Sequence, residues 1–331
     1  MRNWEGVDVL VTGAGGFIGG HLAVSLQQAG ARVRALCRYN SRSDRGTIDW
    51  FKPTEIAGIE VVFADLRDPE PITKAISGVD VVFHLGAQVA IPYSIDNPRD
   101  FFETNVGGTL NVAIGARDAG IRRLVHLSTS EVYGDAVTLP ISELHPISPR
   151  SPYAASKAGA DMVIDSFHHA YGLPAVIARP FNTYGPHQSA RAVIPTIVTQ
   201  ALSGNRIALG RLDPRRDLTF VSDTVSGLMA IGAANDEVLG RTLQLGTGTD
   251  ASIGELVALV GELVGHELEV DLDPVRVRPH DSEVPRLLSD HSLVSDLTGW
   301  QPQVALRDGM ARTLDWLSAN QHRYRTTEYT K

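Results

Sequence analysis

The chain has 331 residues, 43% of them hydrophobic and 21% charged, with a net charge of −8. That length suits one large domain with a smaller lobe, the composition argues against disorder, and the negative balance disfavours nucleic acid as the main partner. A single cysteine, Cys37, excludes an intramolecular disulfide, no apolar run approaches the ~20 residues of a membrane span, and the opening Met1-Arg2-Asn3-Trp4-Glu5 lacks an apolar signal core, so the expected location is the cytoplasm.

Apolar bursts alternate with helical patterns from the start. Val7 to Thr12 reads as a buried strand, and Phe17 to Ala29 as a helix ended by Gly30. Further strands are expected at Ala31–Cys37, Ile59–Phe63, Val79–His84 and Arg123–Leu127, with helices between them at Glu70–Ser77 and Arg99–Ala119. A long helix over Pro152–Tyr171 and a strand at Ala175–Arg179 complete a βαβ series, which predicts a doubly wound parallel α/β sheet of Rossmann type. After Pro180 turn residues and arginines become frequent. One return to the sheet is expected near Thr242–Leu245, and two helices near Ile253–Val264 and Leu306–Ala319. The expected division is a dinucleotide domain over residues 1–180 with about 217–248, and a smaller α/β lobe over about 181–216 and 249–331.

Thr12-Gly13-Ala14-Gly15-Gly16-Phe17-Ile18-Gly19 joins the first strand to the first helix. Glycines at 13, 16 and 19 let backbone approach a pyrophosphate and aim a helix N-terminus at its charge. After the second strand, where NAD enzymes usually place an acidic residue, this chain has Cys37-Arg38-Tyr39-Asn40-Ser41-Arg42. Arg38 and Arg42 suit a 2′-phosphate, so the cofactor is NADP or NAD, with the balance towards NADP. In Asp65-Leu66-Arg67-Asp68, Asp65 suits the adenine amino group, whereas Asp68 before Pro69 reads as a helix cap.

Tyr153 and Lys157 stand four apart on one helix and so share a face. A lysine beside a phenol lowers its pKa, which would let Tyr153 exchange a proton with a substrate hydroxyl near neutral pH. Ser128-Thr129-Ser130 ends the preceding strand. Among the arginines of the second lobe, Arg216 and Arg278, then Arg191, are the candidates for diphosphate binding. His168-His169 has no third ligand at metal spacing, so no metal is expected.

Taken together, the glycine loop, His84-Leu85-Gly86-Ala87, Asn105-Val106-Gly107-Gly108-Thr109, Ser128-Thr129-Ser130-Glu131-Val132-Tyr133-Gly134, the Tyr153/Lys157 pair, Arg179-Pro180-Phe181-Asn182-Thr183-Tyr184-Gly185-Pro186 and Arg216-Asp217 resemble the NAD-dependent epimerase/dehydratase family of extended short-chain dehydrogenases. The resemblance covers nearly the whole chain. It implies that Leu85 and Ala87 lie beside the nicotinamide, with Asn105 near the cofactor. It also implies that Thr129 bonds the sugar hydroxyl being oxidised, and that Asn182 and Arg216 lie on the diphosphate of a nucleotide sugar.

By the same resemblance Glu131 separates dehydratases from 4-epimerases but not from UDP-glucuronate decarboxylases, which also carry Ser-Glu before Val-Tyr-Gly and differ around the tyrosine. The position of Glu131 resembles that of the base that removes the C5 proton in the 4,6-dehydratases, where 4-epimerases tend to carry a small residue. Thr129-Ser130-Glu131 is similar to the pattern of GDP-mannose and legionaminic-acid-type UDP-N-acetylglucosamine dehydratases, and departs from the Thr-Asp-Glu of dTDP-glucose enzymes. That departure leaves open which acid expels the C6 hydroxyl; Glu131 assisted by Ser130 is one answer. Pro92-Tyr93-Ser94, 189–195 and Arg278–Val284 also resemble the UDP-N-acetylglucosamine group, which brings Ser94 and Arg191 into the substrate site. The rivals are a 4-epimerase of UDP-glucose or UDP-glucuronate type, a UDP-glucuronate decarboxylase, and a nucleotide-binding module without turnover. The resemblance further implies a homodimer formed through the helices around Val106–Ala119 and Ala154–Tyr171, rich in small residues such as Gly107, Gly108, Ala154 and Ala158.

Overall fold

The computed structural model describes residues 4–277 and 283–324. Its strands and helices, in chain order, are β1 (Asp8–Thr12), α1 (Phe17–Gln28), β2 (Arg32–Cys37), α2 (Pro53–Ile56), β3 (Glu60–Phe63), α3 (Pro69–Ile76), β4 (Val81–His84), α4 (Ile91–Asp96), α5 (Pro98–Phe102), α6 (Gly108–Ala119), β5 (Arg123–Leu127), α7 (Pro152–Tyr171), β6 (Ala175–Pro180), β7 (Asn182–Tyr184), α8 (Val193–Ala201), β8 (Arg206–Leu209), β9 (Arg215–Phe220), α9 (Val221–Ala233), β10 (Thr242–Leu245), β11 (Asp250–Ser252), α10 (Ile253–Val264), β12 (Glu269–Leu272), β13 (Arg286–Leu287), α11 (Ser292–Thr298) and α12 (Leu306–Ala319).

Seven strands form one parallel sheet in the order β10-β6-β5-β4-β1-β2-β3. The order reverses between β1 and β4, and it is at such a switch point, beyond the carboxyl ends of the strands, that doubly wound sheets bind ligands. The period-2 geometry of the strands explains why their sequences read as continuous apolar runs. Val9 and Val11 of β1 point into a core with Leu22 and Leu26 of α1 and Leu228 and Ile231 of α9. Leu10 points to the other face, with Ile72 of α3, Val112 of α6 and Ile164 of α7.

A second assembly forms around β9, which pairs with β7, β11 and β13, while β8 pairs with β12. Asp217 on β9 fastens it. Its carboxylate accepts from the Thr247 amide and hydroxyl (both 2.8 Å), the Gly248 amide (3.0 Å) and the Ser289 amide (3.2 Å).

Two departures from the sequence expectations have physical causes. The helix expected over Arg99–Ala119 contains a π turn at Glu103–Gly107 between α5 and α6. One extra residue is accommodated there, and the bulge sets the buried Asn105 side chain against the Gln88 backbone and Ser156. Five helices, α2, α4, α8, α9 and α11, have no counterpart in the sequence expectations. In α9 the signal is weak because its serines, threonines and glycines lower helix propensity and it is buried on several sides.

Candidate active site

The glycine loop turns sharply at the end of β1. Gly13 has φ +72, and a Cβ there would lie 2.7 Å from the Gly86 backbone; a Cβ on Gly19 would lie 2.2 Å from the Gly13 carbonyl oxygen. The loop is therefore flush against both its own helix and the β4 turn. α1 begins at Phe17, with Gly16 as its cap and no side chain bonding the first amides. A dinucleotide pyrophosphate fits these residues, because the amides face outward at the positive end of the helix and no Cβ intervenes. Behind the loop, Thr47 donates its amide to the Gly15 carbonyl (2.9 Å) and its hydroxyl to that of Gly16 (2.7 Å).

Beyond β2, Arg38 and Arg42 are exposed and make no ion pair among the described residues. Asn40 organises this turn, accepting from the Arg42 and Asp44 amides (both 3.0 Å). Arg67 grips Asp65 with two nitrogens, at 2.9 and 2.6 Å, holding its carboxyl below the ordinary value. Any contact of Asp65 with adenine would have to share that carboxylate. Asp68 does occupy the cap position before Pro69, but its side chain makes no capping bond. Leu66 is buried against Gly86 and Gly108.

His84, last residue of β4, bonds Thr12 (2.8 Å) through Nδ1 and Thr109 (3.0 Å) through Nε2. Because the Thr109 hydroxyl donates to the Asn105 carbonyl, it accepts from Nε2–H, which in the neutral ring leaves Nδ1 as the acceptor for Thr12. Burial first, and then the charges of its neighbours, hold it well below its ordinary pKa. The Thr12 hydroxyl in turn accepts from the Gly86 amide (3.0 Å), so the Leu85-Gly86-Ala87 turn is fastened to the glycine loop.

Ser151 caps α7 by accepting from the Ala154 amide (3.1 Å), and Pro152 opens it, which puts Tyr153 in the first turn. Lys157 follows one turn later, and Asp161 one turn after that. The Lys157 ammonium is buried and donates to the Leu127 carbonyl (2.6 Å); burial lowers it to about 8, with Asp161 opposing. The Tyr153 phenol is not lowered, contrary to the expectation from its spacing. Burial pushes it up to about 12, a hydrogen bond with Thr129 opposes, and the charges of Glu131 and Asp161 add to the rise.

Thr129, Ser130 and Glu131 lie in a short turn after β5. Thr129 caps it by accepting from the Glu131 amide (3.3 Å), and Ser130 is buried. The site thus brings Thr129, Glu131, Tyr153 and Lys157 together at the carboxyl ends of β5 and β6. Of the substrate candidates, Ser94 is buried with its hydroxyl on the Ile91 carbonyl (2.7 Å), and Asn182 has a buried side-chain oxygen without a partner. Arg216 is buried and paired with Glu283 (2.9 Å), while Arg191 is exposed beside Ser189. Arg278 lies outside the described residues.

The sequence reading missed Asp161. It is fully buried, bonds Arg179 (2.7 Å) and the Ser128 hydroxyl (2.7 Å), and faces His126 (3.3 Å). Burial alone would raise its carboxyl, but the close approach of the His126 ring and the charge of Arg179 hold it at about 2. His126 is pushed by burial and by Lys157 to about 4 and is neutral at physiological pH. The available signal was spacing: Asp161 extends the Tyr153/Lys157 stripe by one further turn.

A family model described as GDP-mannose 4,6 dehydratase matches residues 10–313. A UDP-glucose 4-epimerase of Mycolicibacterium smegmatis is 33% identical over 315 residues, spanning 93% of this chain and 97% of that protein. A dTDP-glucose 4,6-dehydratase of Xanthomonas campestris pv. campestris is 31% identical over 343 residues, spanning 97% and 94%. Among solved structures, the dTDP-glucose 4,6-dehydratase DesIV of Streptomyces venezuelae, with NAD bound, matches with a TM-score of 0.85 at 31% identity, covering 97% of this chain and 100% of that one. The chain belongs to the GDP-mannose 4,6-dehydratase family, among the NAD-dependent nucleotide-sugar dehydratases and epimerases of short-chain dehydrogenase type.

Asp161→Asn should lower stability by about 3–5 kcal/mol in urea unfolding, because it leaves Arg179 buried without its counter-charge. Since the folded pKa lies below the unfolded one, Asp161 stabilises the fold fully above pH 4 and loses that contribution as pH falls from about 4 towards about 2. The variant should lack this acid-sensitive component, and an unchanged pH dependence would contradict the assignment.

Proposed function

We propose that this member of the family is a nucleotide-sugar 4,6-dehydratase that forms an NDP-4-keto-6-deoxy sugar by internal redox, from UDP-N-acetylglucosamine or a related NDP-hexose. The observation that carries this reading is the placement of Glu131, a carboxylate on the capped turn behind Thr129 and near enough to Tyr153 for its charge to act on the phenol. A 4-epimerase has no need of a carboxylate there, since it removes no carbon-bound proton.

Gly13, Gly16, Phe17, Ile18 and Gly19 hold the pyrophosphate, Asp65 and Leu66 the adenine end, and Leu85, Ala87, Asn105, Tyr153 and Lys157 the nicotinamide half. A nicotinamide dinucleotide held there would supply the redox chemistry, a hydride acceptor for C4 and a hydride donor for C6, and its cationic ring would bring the Tyr153 phenol down towards a working range. Tyr153 takes the C4 hydroxyl proton while Thr129 orients that hydroxyl. Glu131 takes the C5 proton, made acidic by the new ketone, and returns a proton through Ser130 to the departing C6 hydroxyl, which leaves as water. A solvent proton then fills C5. Asn182, whose buried oxygen lacks a partner, with Ser94, Arg191, Arg216 and Arg278, grips the nucleotide sugar. In this reading residues 1–180 with about 217–248 carry the dinucleotide, and about 181–216 and 249–331 carry the substrate.

Arg38 and Arg42, exposed and without ion pairs, favour NADP over the NAD bound in DesIV. The exposed Phe102, Leu110, Met162 and Tyr171, on α5, α6 and α7, favour a homodimer through that face. The epimerase reading is the second one, favoured by the similarity to the M. smegmatis protein.

Four measurements test these statements. Glu131→Gln should reduce nicotinamide, hold it reduced and release little product, whereas Tyr153→Phe should reduce none; product mass on a panel of UDP-, GDP- and dTDP-sugars should show loss of water. A product of unchanged mass would replace the dehydratase by an epimerase, and loss of carbon dioxide by a decarboxylase. Arg38→Ala should weaken NADP far more than NAD, by about 1.5–3 kcal/mol for a charge-assisted contact, and equal weakening would reverse the preference. Sedimentation should give about twice 35.7 kDa, and a monomer at micromolar concentration would count against the dimer.

A further inference from the structure

The Glu131 side chain makes no hydrogen bond or ion pair among the described residues. The position of its carboxylate is therefore set by the backbone of the turn that carries it, and that turn is held at both ends through one buried cation. At its entry, the Ser128 hydroxyl donates to Asp161 (2.7 Å), which is bonded to Arg179 Nη2 (2.7 Å). At its exit stands Tyr133, fully buried. Its hydroxyl accepts from Arg179 Nη1 at 2.8 Å and from Gln244 Nε2 at 2.6 Å, and the guanidinium carbon lies 4.8 Å from its ring centroid. A phenylalanine would fill the same volume, so packing alone does not account for a hydroxyl that two elements, β6 and β10, approach with donors. The next residue, Gly134, has φ +62, and a Cβ there would lie 2.0 Å from the Ser148 carbonyl oxygen, so the backbone leaves the turn along one path.

We propose that Tyr133 is a positioning residue for Glu131: its hydroxyl, clamped between Arg179 and Gln244, fixes the end of the turn and so aims the carboxylate at the substrate carbon. The proposal rests on the reading of Glu131 as the base. The Tyr133 hydroxyl bonds Arg179 and Gln244 and neither Thr129 nor Tyr153 among the described residues. Thr129 is joined to the turn only through the bond from the Glu131 amide, so the loss of the clamp falls first on the elimination and only through that bond on the hydride step.

The test is single-turnover kinetics on the full chain with its dinucleotide, following reduced nicotinamide by absorbance and 4-keto product by mass. Tyr133→Phe should reduce nicotinamide at the unaltered rate and slow product formation about tenfold to a hundredfold, the loss expected from a misplacement near 1 Å, so that reduced nicotinamide accumulates transiently. Gln244→Met keeps Tyr133 and removes one of its two donors; it should move the same ratio in the same direction by less, and it decides the matter if Tyr133→Phe does not fold. Glu131→Gln separates the two claims. If it turns over without holding reduced nicotinamide, the base is lost and the proposal with it. If it holds reduced nicotinamide while the folded Tyr133 and Gln244 variants either turn over normally or lose both steps in proportion, the role of Tyr133 is overturned and that of Glu131 stands.

Discussion

Asp161 carries a full negative charge inside the protein, and the chemistry above it is arranged around that fact. A buried carboxylate is tolerated only where charge and hydrogen bonds compensate for lost water, and here Arg179, Ser128 and His126 do so from two neighbouring strands and the segment that follows one of them. The same charge opposes the burial that would discharge Lys157 on the adjacent helical turn. Helix α7, strands β5 and β6 and the catalytic turn thus meet at one ionised group, and none can shift alone without exposing an unpaired charge in a dry interior.

The cofactor side is built on the opposite economy, with neutral contacts and close backbone approach. His84 ties the glycine loop to α6 without carrying charge, because burial holds it well below its ordinary pKa, and Thr109, spending its own hydrogen on the Asn105 carbonyl, fixes Nε2 as the nitrogen that donates. The π turn that breaks the long helix is what brings Asn105 to that junction, where its side chain also reaches Gln88 and Ser156. A regular helix would rotate Asn105 away by the angle of one residue, roughly 100°.

Much of this was legible in the sequence because the chemistry demands rare residue types at fixed local spacing. Glycines at 13, 16 and 19 and the Tyr153/Lys157 pair belong to that class, and the seven strands of the sheet showed as apolar bursts. What stayed hidden was non-local or competed for locally. Tyr133 and Gln244 are 111 residues apart, and nothing in either neighbourhood records the other. The local sequence marks Asp65 as an adenine ligand without showing that Arg67, two residues on, shares its carboxylate. β7, β11 and β13 are too short to show alternation.

Strand β9 bears Arg216, and it pairs with Asn182–Tyr184 behind it and with Asp250–Ser252 and Arg286–Leu287 far ahead. The seven-stranded sheet, by contrast, is assembled largely from successive β and α units that close on near neighbours in the chain. Loop closure is slower and costlier for the distant pairings. On the ribosome, β9 therefore waits for β11 until Ser252 and for β13 until Leu287 has emerged, long after the glycine loop and α7 are available to each other. The parallel sheet matures first during synthesis, and the assembly around β9 closes last.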